Sequence, residues 1–171
     1  MDQIPEKINL FNVYKDGIKL IGLSDEITLP DFEAMTETIS GPGILGEIDS
    51  PTIGHFSSME VELPFRNLDE HLIEVFEIGE GVNLTLRASQ QYQKSTGGVD
   101  YKGMRVVMRG MVKGITTGSA KQGSPMGSSI KLELTYIMIE VSNQKMVELD
   151  KLNCIYIVNG KDMMEKARSL C

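Results

Sequence analysis

Apolar side chains recur at every second position through Ile130, Leu132, Leu134 and Tyr136, with Lys131, Glu133 and Thr135 between them. A period of two belongs to a strand with one dry and one wet face, because successive side chains of an extended chain point to opposite sides. Met104, Val106 and Met108 repeat the pattern against Arg105 and Arg109. Two long strands are therefore predicted, over 101–117 and 128–141, flanking the Gly/Ser-rich loop GSAKQGSPMG. They are longer than one domain needs to close its own core, and their wet face carries charges of both signs. This combination predicts a sheet continued across subunits and a building block rather than a catalyst.

The rest of the chain also reads mostly as strands. Residues 7–14 and 18–22 flank Asp16-Gly17, a dipeptide suited to a tight hairpin turn. Residues 26–29 and 32–40 read as strands broken by Pro30, which cannot donate to a ladder. GPGILGEIDSPTIG, from Gly41 to Gly54, has no period and is expected to be a long loop. Its Ile44, Leu45, Ile48 and Ile53 are too apolar for simple disorder and are expected to dock on a partner. In 56–65, Met59, Val61 and Leu63 face one way, and Ser58, Glu60 and Glu62 the other. Asn67 with Glu70 resembles a capping box, predicting an amphipathic helix over 68–78 that Gly79 and Gly81 end. Strands follow over 82–93, 146–152 and 154–158; Asn159-Gly160 turns the chain, and Asp162 with Glu165 can cap a short helix to Leu170.

Composition bounds this mainly β chain. With 171 residues, 41% of them hydrophobic, one domain over 1–171 is expected. A formal charge of −7 argues against a surface that grips nucleic acid. The opening MDQIPEKINL lacks the basic and apolar regions of a signal peptide, and no apolar stretch approaches the roughly 20 residues that span a bilayer. A soluble chain with no membrane anchor, made in the cytoplasm, is expected. Cys154 and Cys171 read as free thiols, since two cysteines make no disulfide framework. Of the eleven methionines, Met35, Met59, Met104 and Met108 read as core, and Met163 and Met164 as interface candidates.

The catalytic inventory is thin. GPGILG spells a glycine-rich phosphate motif, but a phosphate cradle needs a strand before it and a helix after it, and here Pro51 and more loop follow. His55 and His71 are read as surface histidines, with no cysteine near either. Glu60 and Glu62 share a strand face, which suits a solvated surface better than acid/base chemistry. No catalytic residue, metal ligand or cofactor is expected.

The order of NVYKDGIKLIG, DEITLPDFE, GPGILGEIDSPTIG, SSMEVEL, VVMRGMVKGI, LTYIMIEV and VELDKLNCIYIVNGKD resembles the major tail tube protein of contractile-tailed bacteriophages and of phage-tail-like R-type bacteriocins. The resemblance covers about residues 7–170. It implies a β-sandwich or barrel with a flanking helix and a short C-terminal helix, whose inner strands join across a hexameric ring into one continuous barrel. Stacked rings would form a rigid tube, a conduit and piercing rod that a contracting sheath drives through a cell envelope. Implied partners are the chain itself, the tail sheath protein, baseplate and tail terminator proteins, and tape-measure protein and DNA in the lumen without specific binding. The implied location is the host bacterial cytoplasm during assembly, then the tail of a virion or bacteriocin particle.

Within that scheme, alternation sends Glu60, Glu62, Lys131, Glu133 and Thr135 to the channel, with Arg105 and Arg109 on the same face. A net negative wall is expected, over which DNA slides without sticking. Contacts within or between rings are expected from Gly41, Ile44, Leu45, Ile48 and Ile53, and from Lys121 and Gln122 in the second loop. The two helices would meet the sheath through Glu70, Glu74, Glu77, Lys166 and Arg168. Two other classes share parts of this pattern: the tube component of a related injection or secretion machine, and a monomeric small-molecule-binding β-barrel.

Overall fold

The computed structural model describes residues 3–76 and 79–171. In chain order its elements are β1 (Gln3–Lys15), β2 (Ile18–Lys19), β3 (Ala34–Ser40), β4 (Glu47–Phe56), β5 (Glu60–Phe65), α1 (Glu70–Val75), β6 (Gly81–Lys94), β7 (Gly98–Thr116), β8 (Ser128–Val141), β9 (Gln144–Asp150), β10 (Ile155–Val158), β11 (Lys161–Asp162) and α2 (Glu165–Arg168). The fold is mainly β, as the alternation predicts. Among the described residues, nine strands share one antiparallel sheet in the order β11-β10-β9-β8-β7-β6-β1-β2, with β5 paired to β8 beside that path. Asp16 and Gly17 turn β1 into β2 at φ of 49° and 86°, the left-handed pair that matches the twist of a two-residue hairpin.

β8 holds two partners along one edge. Its first half, Ser128 to Glu133, pairs with β5, and its second half, Tyr136 to Val141, pairs with β9. Between the halves the register against β7 slips: Arg109 opposes Tyr136, while Gly110 opposes Leu134. Thr135 is the extra residue, and the slip reverses which side chains point inward. Ile130, Leu132 and Leu134 are buried before it and Ile137 after it. Tyr136, which simple alternation groups with the dry residues, is thereby carried to the charged face opposite Arg109. The slip also brings backbones close, since a side chain on Gly110 would sit inside the van der Waals radius of the Glu133 carbonyl and 3.0 Å from the Leu134 Cα.

One core lies on the dry face. Val61, Leu63, Phe65, Val106, Met108 and Ile130 are fully buried, and Leu72 and Val75 of α1 join the same cluster. Each such side chain contributes about 1.5–3 kcal/mol relative to exposure. Met59, Val61, Leu63, Ile130, Leu132 and Leu134 all reach this core, as their spacing predicts.

Several local expectations are overturned. Residues 26–29 are not a strand; Ile27 and Leu29 pack against the core from an irregular segment, with Pro30 following them. The expected loop from Gly41 to Gly54 contains most of β4, which pairs with β3 through Thr38 and Asp49, Ile39 and Ile48, and Ser40 and Glu47. Its glycines at 41, 43 and 46 concentrate at the hairpin tip with positive φ. The helix over 68–78 is shorter, at Glu70–Val75, and Glu77 and Ile78 lie outside the described residues. Its cap is Asp69, which accepts the Leu72 amide at 3.1 Å, whereas Asn67 accepts the Met126 amide and ties α1 to the loop before β8. At the C-terminus the N-cap is Met164 without a side-chain bond; Asp162 instead accepts the Met164 amide at 2.9 Å and pairs with Arg168.

Candidate functional site

Residues opposite one another in antiparallel strands share a face. The ladders therefore place Glu60 with Glu133, Glu62 with Lys131, and Arg105 with Glu140 on the side of the sheet away from the core. Arg109 with Tyr136 belongs to the same side. Thr135 faces it only in part, since its hydroxyl donates to the Arg109 carbonyl within the bulge. The face extends beyond the residues singled out from sequence: Lys113 of β7, Arg87 of β6, and Lys145, Glu148 and Asp150 of β9 complete it. Their signal was present as alternation in each strand, but only the strand order joins them.

Many of the charges on this face are paired. Lys113 bonds Glu60 and lies 3.6 Å from Glu133, whose carboxylate also accepts from the Ser58 hydroxyl at 2.7 Å. The bond from Lys113 holds Glu60 below the usual carboxylate range, and Glu60 in turn raises Lys113. Arg105 bonds Glu140 at 2.8 Å, and Ser129 donates to Glu62 at 2.6 Å. The Tyr136 hydroxyl donates to Glu148 at 2.8 Å beneath the Arg109 guanidinium; burial, then that bond, pushes it up to about 12. Arg87, Arg105, Arg109, Lys113, Lys131 and Lys145 thus face Glu60, Glu62, Glu133, Glu140, Glu148 and Asp150. These twelve groups are six of each sign, and the ladders carry the same face on to Asp162, opposite Ile157, and to Lys7, opposite Gln91.

Three further surfaces matter. The β3–β4 hairpin is almost wholly exposed, with Leu45 at its tip and Met35, Ile39, Ile48 and Ile53 along it; Ile44 is half-buried by the turn at Gly41. Lys121 and Gln122 lie exposed in the loop between β7 and β8, where the Ser124 amide bonds the Lys121 carbonyl. β1 pairs with β6 along its length, but with β2 only at Tyr14 and Lys15. The edge from Gln3 to Asn12 is therefore open among the described residues, and Ile4, Ile8 and Leu10 are exposed along it, a feature the alternation does not reveal.

Of the residues expected on an outer surface, Glu70, Glu74 and Lys166 are exposed. Arg168 is exposed as well, while bonding Asp162 and the Cys154 carbonyl, and Glu77 lies outside the described residues. Met164, expected at an interface, packs over Gly54. No group of three or more metal-binding side chains occurs among the described residues.

A family model described as phage tail tube protein FII matches residues 5–170 of this chain. The chain belongs to the phage tail tube family. It is 30% identical over 166 residues to the tail tube protein of Escherichia phage P2, covering 96% of each chain. It is likewise 30% identical over 160 residues to the major tail tube protein of Serratia phage KSP20, covering 94% of this chain and 91% of the relative. Tail tube proteins are structural, and this membership gives the sheet and hairpin a structural setting.

Proposed function

We propose that this chain is the repeating unit of the inner tube of a contractile tail, with residues 1–171 forming one tube domain. The observation that carries this reading is the open edge of β1. A sheet this long that leaves one edge unpaired is a template for another strand, and addition of a second copy there removes the liability. Repeated around a hexameric ring, the addition closes the sheet into a barrel with the charged face inward. The β3–β4 hairpin then projects its apolar residues onto a neighbour in the same or the adjacent ring, with the loop around Lys121 and Gln122 as a second contact.

In this scheme stacked rings act as conduit and piercing rod, the sheath protein grips the outer surface at Glu70, Glu74, Lys166 and Arg168, and baseplate and terminator proteins bound the two ends. Tape-measure protein or DNA occupies the lumen. Assembly takes place in the host bacterial cytoplasm, and the finished tube belongs to a virion or bacteriocin particle. Electron microscopy of the purified full chain at high concentration, with light scattering on the same sample, tests the proposal. Rings or hollow tubes support it; a dispersed monomer that also fails to elongate on preformed tail baseplates overturns it.

A further inference from the structure

Arg87 of β6 and Arg105 of β7 are direct cross-strand partners. Like charges placed opposite each other on one face are destabilising, so such a pair calls for compensation. Arg105 has it in part, through the 2.8 Å bond from Nη2 to Glu140. Glu140 opposes Lys145 on its other side, but the Lys145 ammonium bonds Glu148 instead. Arg87 has no carboxylate within 4 Å among the described residues; its guanidinium stands 5.9 Å from the centre of the Tyr14 ring. The Arg105 Nε–H, moreover, is shielded from solvent and has no acceptor. A buried donor without an acceptor is a standing cost that a ligand oxygen would remove.

The two arginines border a cleft of about 240 Å³. Glu140 and Asn143 also line it, Asn143 from the turn between β8 and β9, where both Ser142 and Asn143 adopt positive φ. The lining thus holds the Arg105–Glu140 ion pair, the uncompensated Arg87 guanidinium and Asn143 around a space larger than a single anion.

We propose that this cleft binds a phosphate group. A tetrahedral oxyanion presents several oxygens at once, so it can bridge two guanidiniums on neighbouring strands while a third oxygen meets the amide. A carboxylate has only two oxygens in one plane, and Glu140 already occupies that role at Arg105. The site stands on these contacts whether or not the face lines a channel. If it does, each subunit offers one phosphate-sized contact to a passing nucleic-acid strand.

The test is phosphorus NMR of inorganic phosphate with the full chain at near-neutral pH. Broadening that saturates in the millimolar range is expected, and Arg87→Gln should weaken it about tenfold, the loss of one charge-assisted contact. Arg66→Gln, whose partner Asp25 lies elsewhere, serves as control and should leave binding unchanged. Because Arg105→Gln also strands Glu140, Asn143→Ala is the second variant and should weaken binding several-fold while the fold persists. Broadening that Arg87→Gln leaves intact, or no broadening at all with wild-type chain, overturns the site. A short single-stranded DNA then distinguishes sources: Arg87-dependent binding assigns the site to a phosphodiester backbone, and Arg87-independent DNA binding alongside Arg87-dependent phosphate binding assigns it to free phosphate.

Discussion

The Arg109 guanidinium lies 4.1 Å from the centre of the Tyr136 ring, and the Tyr136 hydroxyl beneath it donates to Glu148. This stack exists because the bulge at Thr135 turns Tyr136 out of the core series. Burial and then the carboxylate raise the phenol to about 12, and Arg109 opposes them only in part. The folded form therefore holds the proton that an unfolded tyrosine releases near pH 10. The stabilisation is full below pH about 10 and is lost as pH rises toward about 12. An absorbance titration should show one late tyrosine step, absent in Tyr136→Phe, and stability in denaturant should fall less steeply above pH 10 in that variant.

Gly110→Ala should be among the most damaging small substitutions. The new methyl meets the backbone at Glu133 and Leu134, which cannot move aside without breaking the register slip. A loss of at least about 2 kcal/mol is expected in urea denaturation. Gly114→Ala, four residues on in the same strand, meets nothing within 4 Å and should be neutral or stabilising by up to about 1 kcal/mol.

Leu45→Asp separates folding from assembly. The side chain is fully exposed at the hairpin tip, so unfolding free energy should stay within about 0.5 kcal/mol of the wild type. Under the proposed function, rings and tubes seen by electron microscopy should be lost or greatly reduced, because a charge replaces an apolar contact. Full assembly by the variant would remove the hairpin tip from the interface.

Acid should loosen the C-terminus. Arg168, followed by the Met164 amide, holds the Asp162 carboxyl below its ordinary value. A depressed carboxylate stabilises the fold above its unfolded value and loses that contribution as pH falls through the folded one. Protection factors of the amides from Met163 to Leu170, taken against intrinsic exchange at each pH, should fall in that acid range, and Arg168→Ala should show the lower protection already at neutral pH.

The strands with one buried face were legible in the sequence, since burial imprints the period of two that β5, β7 and the first half of β8 display. β4 was not, for the same physical reason: both faces of the β3–β4 hairpin are exposed, and a strand with no dry side has no period to show. Pro51 and Gly54 inside β4 added loop character to it. The helix start at Asp69 escaped because Asn67 offered the better-spaced cap, while its side chain was engaged elsewhere. On the charged face, Glu60, Glu62, Lys131 and Glu133 followed from alternation alone. Lys113 and Arg87 did not, because their partners come from strands distant in sequence.

The bare edge of β1 has a consequence for the chain before it meets its own kind. Ile4, Ile8 and Leu10 beside a row of unsatisfied amides and carbonyls make the isolated molecule adhesive to any extended peptide, its unfolded siblings included. Under the proposed function, productive growth and disordered clumping compete for the same strand, and the ratio of the two depends on how fast a correct end captures each newly made copy. The supply of growing ends, more than the stability of the subunit, then sets the yield.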